Sequence, residues 1–157
     1  FLARMFTQGD RVNDFRRLGR KLVLVATELD TGQSVQFGQP GLDHVPISTA
    51  VQASAALPGL FPPVEIDGRF YVDGALKRTL HASVALEAGM ELVLCVNPLV
   101  PFSSPRRRNA RAHQRLVDGG LPAVLSQTFR SIIHSRMQVG MSRYERQFSG
   151  ADVLLFE

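Results

Sequence analysis

Apolar and polar positions alternate with two different periods along this chain, and the change of period marks out its elements. From Lys21 to Thr27 the run KLVLVAT is β-rich and almost continuously apolar, the pattern of a central strand covered on both faces. Asp30-Thr31-Gly32 is a turn signal and Ser34 to Phe37 alternates, so the two segments form a hairpin or an adjacent pair. Residues 1–18 read as the tail of a helix and a polar loop. A small-residue helix is expected from Ser48 to Leu57, with Ser48 as its cap behind Pro46 and Pro58-Gly59 as its stop. Val64 to Ile66 and Arg69 to Val72 flank Asp67-Gly68, a strong short-range hairpin signal, and this strand delivers Asp73 at its exit. Gly74 would let the chain leave at dihedrals that a side chain resists, and Ala75 keeps the corner uncluttered. A short helix from Ala82 to Glu87 leads into a second apolar, buried strand from Glu91 to Val96. Beyond it, Pro122 opens a long helix on which Leu125, Phe129, Ile132, Ile133, Met137, Met141, Tyr144 and Phe148 form one stripe, expected to pack on a sheet rather than dock on lipid. Residues 152–156 close the pattern as a final strand.

Composition narrows the class. A chain of 157 residues with 45% apolar content is long enough for one packed domain. No apolar run approaches the roughly 20 residues of a membrane-spanning helix. Phe1 opens the sequence without a basic head, apolar centre or small-residue cleavage site, which reads as truncation rather than targeting. Cys95, the one cysteine, lies among Leu92, Val93, Leu94 and Val96 as a small core residue, so no disulfide framework follows. The net charge is +4, and Arg106, Arg107, Arg108, Arg111 and Arg115 crowd beside Pro98, Pro101 and Pro105. Such a cluster is first a solvated loop; against an anionic membrane surface each cation contributes about 1 kcal/mol. Aromatic residues are not interleaved with it, which argues against nucleic acid. The expected setting is cytoplasmic, with a peripheral membrane contact as the partner the cluster would serve.

The most informative stretch is residues 50–75, AVQASAALPGLFPPVEIDGRFYVDGA: a small-residue helix, Pro-Gly-x-Phe-Pro-Pro, and a strand ending in Asp73-Gly74-Ala75. This block resembles the carboxy-terminal part of the catalytic domain of patatin-like phospholipases, more loosely from residue 21 to 97. The resemblance implies an α/β fold, the C-terminal part of a three-layer α/β/α sandwich. It also implies a lipid acyl hydrolase acting on lipid or phospholipid esters through a Ser–Asp dyad, with Asp73 as general base and no cofactor. A serine hydroxyl attacks only when a base within about 2.6–3.2 Å takes its proton. No Gly-x-Ser-x-Gly occurs in the sequence, so the nucleophile and the glycine-rich oxyanion loop are expected upstream, and the chain alone is expected to be inactive. Two departures from the family pattern stand out: Ala75 where glycine is frequent, and Thr79-Leu80-His81 where Asn-x-Pro is frequent.

The remaining polar residues carry less. Ser54 lies mid-helix without flanking glycines, so a packing or back-bonding role is expected rather than nucleophilic attack. His44, His81, His113 and His134 share no ligand spacing, and no metal is expected. His81 is the histidine nearest Asp73 in sequence, but the dyad chemistry does not call for it. Asp67 reads as a turn residue, and Asp43 and Asp118 lack catalytic context. Residues 1–100 are read as the catalytic-domain part, and 101–157 as the basic loop, long helix and last strand packed on it. The competing reading is a non-catalytic binding or membrane-peripheral module that keeps half the fold.

Overall fold

The computed structural model describes residues 1–77, 80–98 and 119–156, and the chain divides into two compact units, Phe1–Lys77 and Arg78–Glu157. Both are mixed α/β. The basic cluster from Arg106 to Arg115, Thr79, His113 and Asp118 lie outside the described residues.

In the first unit α1 (Leu2–Thr7) is followed by a 3-10 turn at Phe15–Arg17, β1 (Leu24–Glu28), β2 (Ser34–Phe37), α2 (Ile47–Ser54), β3 (Val64–Ile66) and β4 (Arg69–Asp73). The strands form an antiparallel sheet in the order β2-β1-β4-β3, so β1 is interior as its apolar run predicts. Pairing begins at Leu24, three residues later than the run itself, and extends one residue further to Glu28. Asp67 and Gly68 both take positive φ, 51° and 73°, the two left-handed positions of a type I′ turn, and Ile66 pairs with Arg69 across it. Exposed His44 reaches the same turn, its Nε2 3.0 Å from Asp67 Oδ2. At that exposure the contact contributes little.

Helix α2 owes its place to small side chains. Ala50, Ala53 and Ala56 are fully or almost fully buried in a core with Ala26, Phe37, Val45, Ile47 and Tyr71, and the Phe37 and Tyr71 rings meet edge to face at 5.3 Å. The cap is not the one expected. The helix starts at Ile47 behind Pro46, and Asn13 serves its first turn from 35 residues upstream: Ser48 N–H donates to Asn13 Oδ1 at 2.8 Å and Asn13 Nδ2 donates to Ser48 Oγ at 3.0 Å. Pro46 carries no side-chain acceptor, so the orphan N–H is met by a tertiary contact instead. Phe15, in a stretch that reads as polar, is buried against Gly38.

In the second unit α3 (Ala82–Glu87), β5 (Leu92–Val96), α4 (Gly120–Gln147) and β6 (Asp152–Phe156) build a parallel β5–β6 pair with helices on one side. Val93 and Cys95 of β5 and Val153 and Leu155 of β6 pack with Ala82, Leu86, Met141, Tyr144 and Phe148. Burial pushes the Cys95 thiol pKa up, in keeping with an inert core residue. The expectation that β5 is buried on both faces is corrected, because Leu92, Leu94 and Val96 are exposed. Alternate side chains point to opposite faces, and among the described residues only one row is covered. The long helix begins two residues before Pro122, which sits in the first turn where a missing N–H costs no intrahelical bond. Its stripe also needs one correction: Ile133, Met137 and Tyr144 are buried, but Ile132 is exposed, one position round the helix from Ile133. Among the described residues no helix is long and apolar enough to cross a membrane.

Candidate active site

Asp73 is the last residue of β4, opposite Ala26 of β1, where the sheet gives way to a 3-10 turn at Gly74–Leu76. Four backbone or near-backbone ties hold it. Its N–H donates to Ala56 O at 3.0 Å, joining the strand end to the exit of α2. Its carbonyl oxygen accepts from Thr27 Oγ1 at 3.4 Å. Its side chain caps the following turn, Oδ1 accepting from Ala75 N at 2.7 Å, and the register with Ala26 fixes the strand from the other side. Oδ2 makes no hydrogen bond among the described residues.

The half-buried setting alters the acid. Burial raises the Asp73 pKa above the ordinary carboxylate value, and the Ala75 N–H bond works against that shift without cancelling it. Among the described residues no cation is one of the groups that set it. A carboxylate partly stripped of water, with one oxygen bonded and the other unbonded among the described residues, is a stronger base than a solvated one.

Gly74 behaves differently from expectation. It enters the 3-10 turn instead of taking a left-handed conformation, because the Asp73 side chain already caps that turn. Gly74 is buried there, and Ala75 beside it is half-buried.

Ser54 has its hydroxyl committed elsewhere. Its Oγ donates to Val25 O at 2.8 Å, one residue before the Ala26–Asp73 pair, so it ties α2 to the sheet beside the carboxylate. This is packing across elements, not bonding back along its own helix. His81 belongs to the second unit, where it precedes α3 with φ 46°. Thr27, whose hydroxyl meets the Asp73 carbonyl, carries no motif of its own. Its signal is that it closes the apolar run of β1 as a hydroxyl that is nevertheless buried.

Residues 1–86, more than half of the chain, match the Patatin-like phospholipase family. The chain belongs to the patatin-like phospholipase family. That family is one of lipid acyl hydrolases, and the matched region contains the whole of the first unit with Asp73, Gly74 and Ala75. The chain is also similar to uncharacterized NTE family proteins of Mycobacterium bovis and Mycobacterium tuberculosis, each 37% identical over 73 residues, which is 46% of this chain. The matched stretch spans only 19% of the length of those relatives.

Proposed function

We propose that Asp73 is the general base of a Ser–Asp dyad that hydrolyses carboxylic esters of lipids, and that the serine it serves lies outside these 157 residues. The observation that carries the reading is the state of the carboxylate: oriented through Oδ1 by Ala75 N–H, partly desolvated, and without a hydrogen bond at Oδ2 among the described residues. Family membership supplies the substrate class.

In this reading the serine hydroxyl donates to Asp73 Oδ2. As the serine oxygen attacks the ester carbonyl carbon, its proton passes to Asp73. The tetrahedral intermediate then collapses, the carbon–oxygen bond to the alcohol or lysolipid breaks, and Asp73 returns the proton to that departing oxygen. Water repeats the sequence on the acyl-enzyme: Asp73 takes its proton as it attacks, then gives the proton to the serine oxygen as the fatty acid leaves. The tetrahedral oxyanion needs backbone N–H donors, and these too would come from outside the chain.

Two ester-hydrolysis assays test the proposal together. The 157-residue chain alone is expected to show negligible turnover of a short-chain nitrophenyl ester, since no Gly-x-Ser-x-Gly is present. Joined to a preceding segment that carries that motif, it is expected to turn the ester over and to accept a fluorophosphonate label on the motif serine. Robust turnover by the chain alone that survives Asp73→Ala would contradict the assignment.

A further inference from the structure

The loop that leaves α2 next to Asp73 combines a fixed backbone with exposed apolar side chains. Leu57-Pro58-Gly59-Leu60 is a type II turn: Pro58 holds its first corner, Gly59 takes φ 78° at the second, and Leu60 N–H donates to Leu57 O at 3.1 Å. Phe61 N–H donates to the same carbonyl at 2.9 Å, which fixes the next residue as well. Phe61 is nevertheless 58% exposed, and Gly59, Pro62 and Pro63 around it are exposed too.

Backbone chemistry sets this loop apart from an ordinary exposed one. Across residues 58–63, Pro58, Pro62 and Pro63 have no N–H, and those of Leu60 and Phe61 are bonded to Leu57 O, so five of the six positions present no open donor. No charged residue occurs from Val45 to Val64. A segment that enters an apolar medium must satisfy or lack its backbone donors and must bury no charge, and this one meets both conditions. The loop is also continuous with the candidate site, because it starts at the residue after Ala56, whose carbonyl receives Asp73 N–H at 3.0 Å.

We propose that residues 57–63 are an interfacial docking loop that seats Phe61 in the acyl boundary of a lipid surface and so brings a lipid ester to Asp73. The proposal rests on the lipid-hydrolase reading for its partner, and it names a contact separate from the catalytic carboxylate. An apolar side chain such as Phe gains by burial at the boundary of headgroups and acyl chains, and the bonded turn fixes the backbone that presents this one, which lowers the ordering cost of contact.

The sequence contains no tryptophan, so Phe61→Trp gives the full chain a single emission reporter at the tip of the loop. With vesicles of neutral phosphatidylcholine its emission is expected to move to the blue and to be quenched by bromine-labelled acyl chains, with little change at high salt. Phe61→Ser should keep the far-ultraviolet circular dichroism of the parent and partition about tenfold more weakly into the same vesicles. Asp73→Asn should partition as the parent does. Emission that stays at its water-exposed position with vesicles, or that is already blue and unquenched without them, overturns the proposal, as does equal partitioning of the Phe61→Ser chain. The failures separate when turnover is read on the chain joined to the serine-bearing segment: lost partitioning beside intact Asp73-dependent turnover of a soluble ester removes the docking loop alone, while lipid binding by a joined chain that shows no such turnover removes the dyad alone.

Discussion

Replacing Asp73 by asparagine is expected to lower turnover of the serine-joined enzyme by about 10²- to 10⁴-fold, the usual contribution of a positioned general base. Asparagine is the informative choice because its Oδ1 still accepts from Ala75 N, so the turn at Gly74–Leu76 and the strand end keep their geometry. The loss should fall on kcat more than on KM, since the proton is taken in the transition state and not on binding. The pH profile of the parent carries the same signature. Asp73 must be ionised to act, and burial raises its pKa, so activity should rise with pH along an acid limb lying above the ordinary carboxylate range. Stability should respond in the opposite sense. A group whose pKa is raised by folding stabilises the fold when protonated, fully so below the unfolded value, and that contribution is withdrawn as pH rises through the folded pKa. The Asp73→Asn chain, with no charge to desolvate, is therefore expected to melt above the parent at neutral pH and to converge with it in acid. Thermal melts of the two chains at several pH values check this. A base that costs stability where it stands is what a catalytic position predicts and a structural one does not.

Gly38→Ala is expected to be the most damaging substitution in the first unit away from the site. Gly38 takes φ +90°, where L side chains are strained, and a Cβ built on it would collide with the Leu22 carbonyl oxygen and come within 2.7 Å of Phe15 Cδ1. The Leu22 oxygen is backbone and cannot swing aside, while Phe15 is itself buried. Backbone strain and overpacking together should cost about 2–4 kcal/mol, read as a fall in melting temperature of roughly 10 °C or more. Gly32→Ala is the matched control: its φ is +65°, but nothing lies within 4 Å of the added Cβ, so only the strain remains. Equal losses at the two positions would mean that packing against Phe15 contributes nothing.

The contrast between these two glycines marks where the sequence could be read and where it could not. Local chemistry was legible. Asp67-Gly68 specifies a type I′ turn because both residues tolerate positive φ, and that turn fixes the register that brings Asp73 to the strand exit. The interior position of β1 follows from its apolar run, and α3 keeps the limits expected of it, Ala82–Glu87, with Gly89 at φ 84° just past its end. What escaped depends on contacts distant in sequence. Asn13 caps α2 across 35 residues, Phe15 fills the space a side chain at Gly38 would need, and Thr27 reaches the Asp73 carbonyl across 46. None of these carries a periodic or turn signal of its own. Ser54 illustrates the middle case: a helix running to Leu57 would place it mid-helix and argue for packing, but α2 ends at Ser54 itself, and its acceptor, Val25 O on β1, follows only from α2 lying on the sheet. Gly74 departs from its expected backbone: it opens the 3-10 turn that Asp73 caps, at a buried position, and takes no left-handed conformation.

The most direct test of the account is the ionisation of one carboxyl group in the 157-residue chain. Carbon-detected NMR titration of the Asp73 side chain, assigned by comparison with the Asp73→Asn chain, reads its pKa without any need for the partner serine. The account predicts a midpoint above the ordinary aspartate value of 3.8, with the resonance of Ala75 N–H shifting along the same curve. A midpoint at or below that value would mean a well-solvated or charge-paired carboxylate, a turn cap and not a poised base, and the assignment of Asp73 to catalysis would fail.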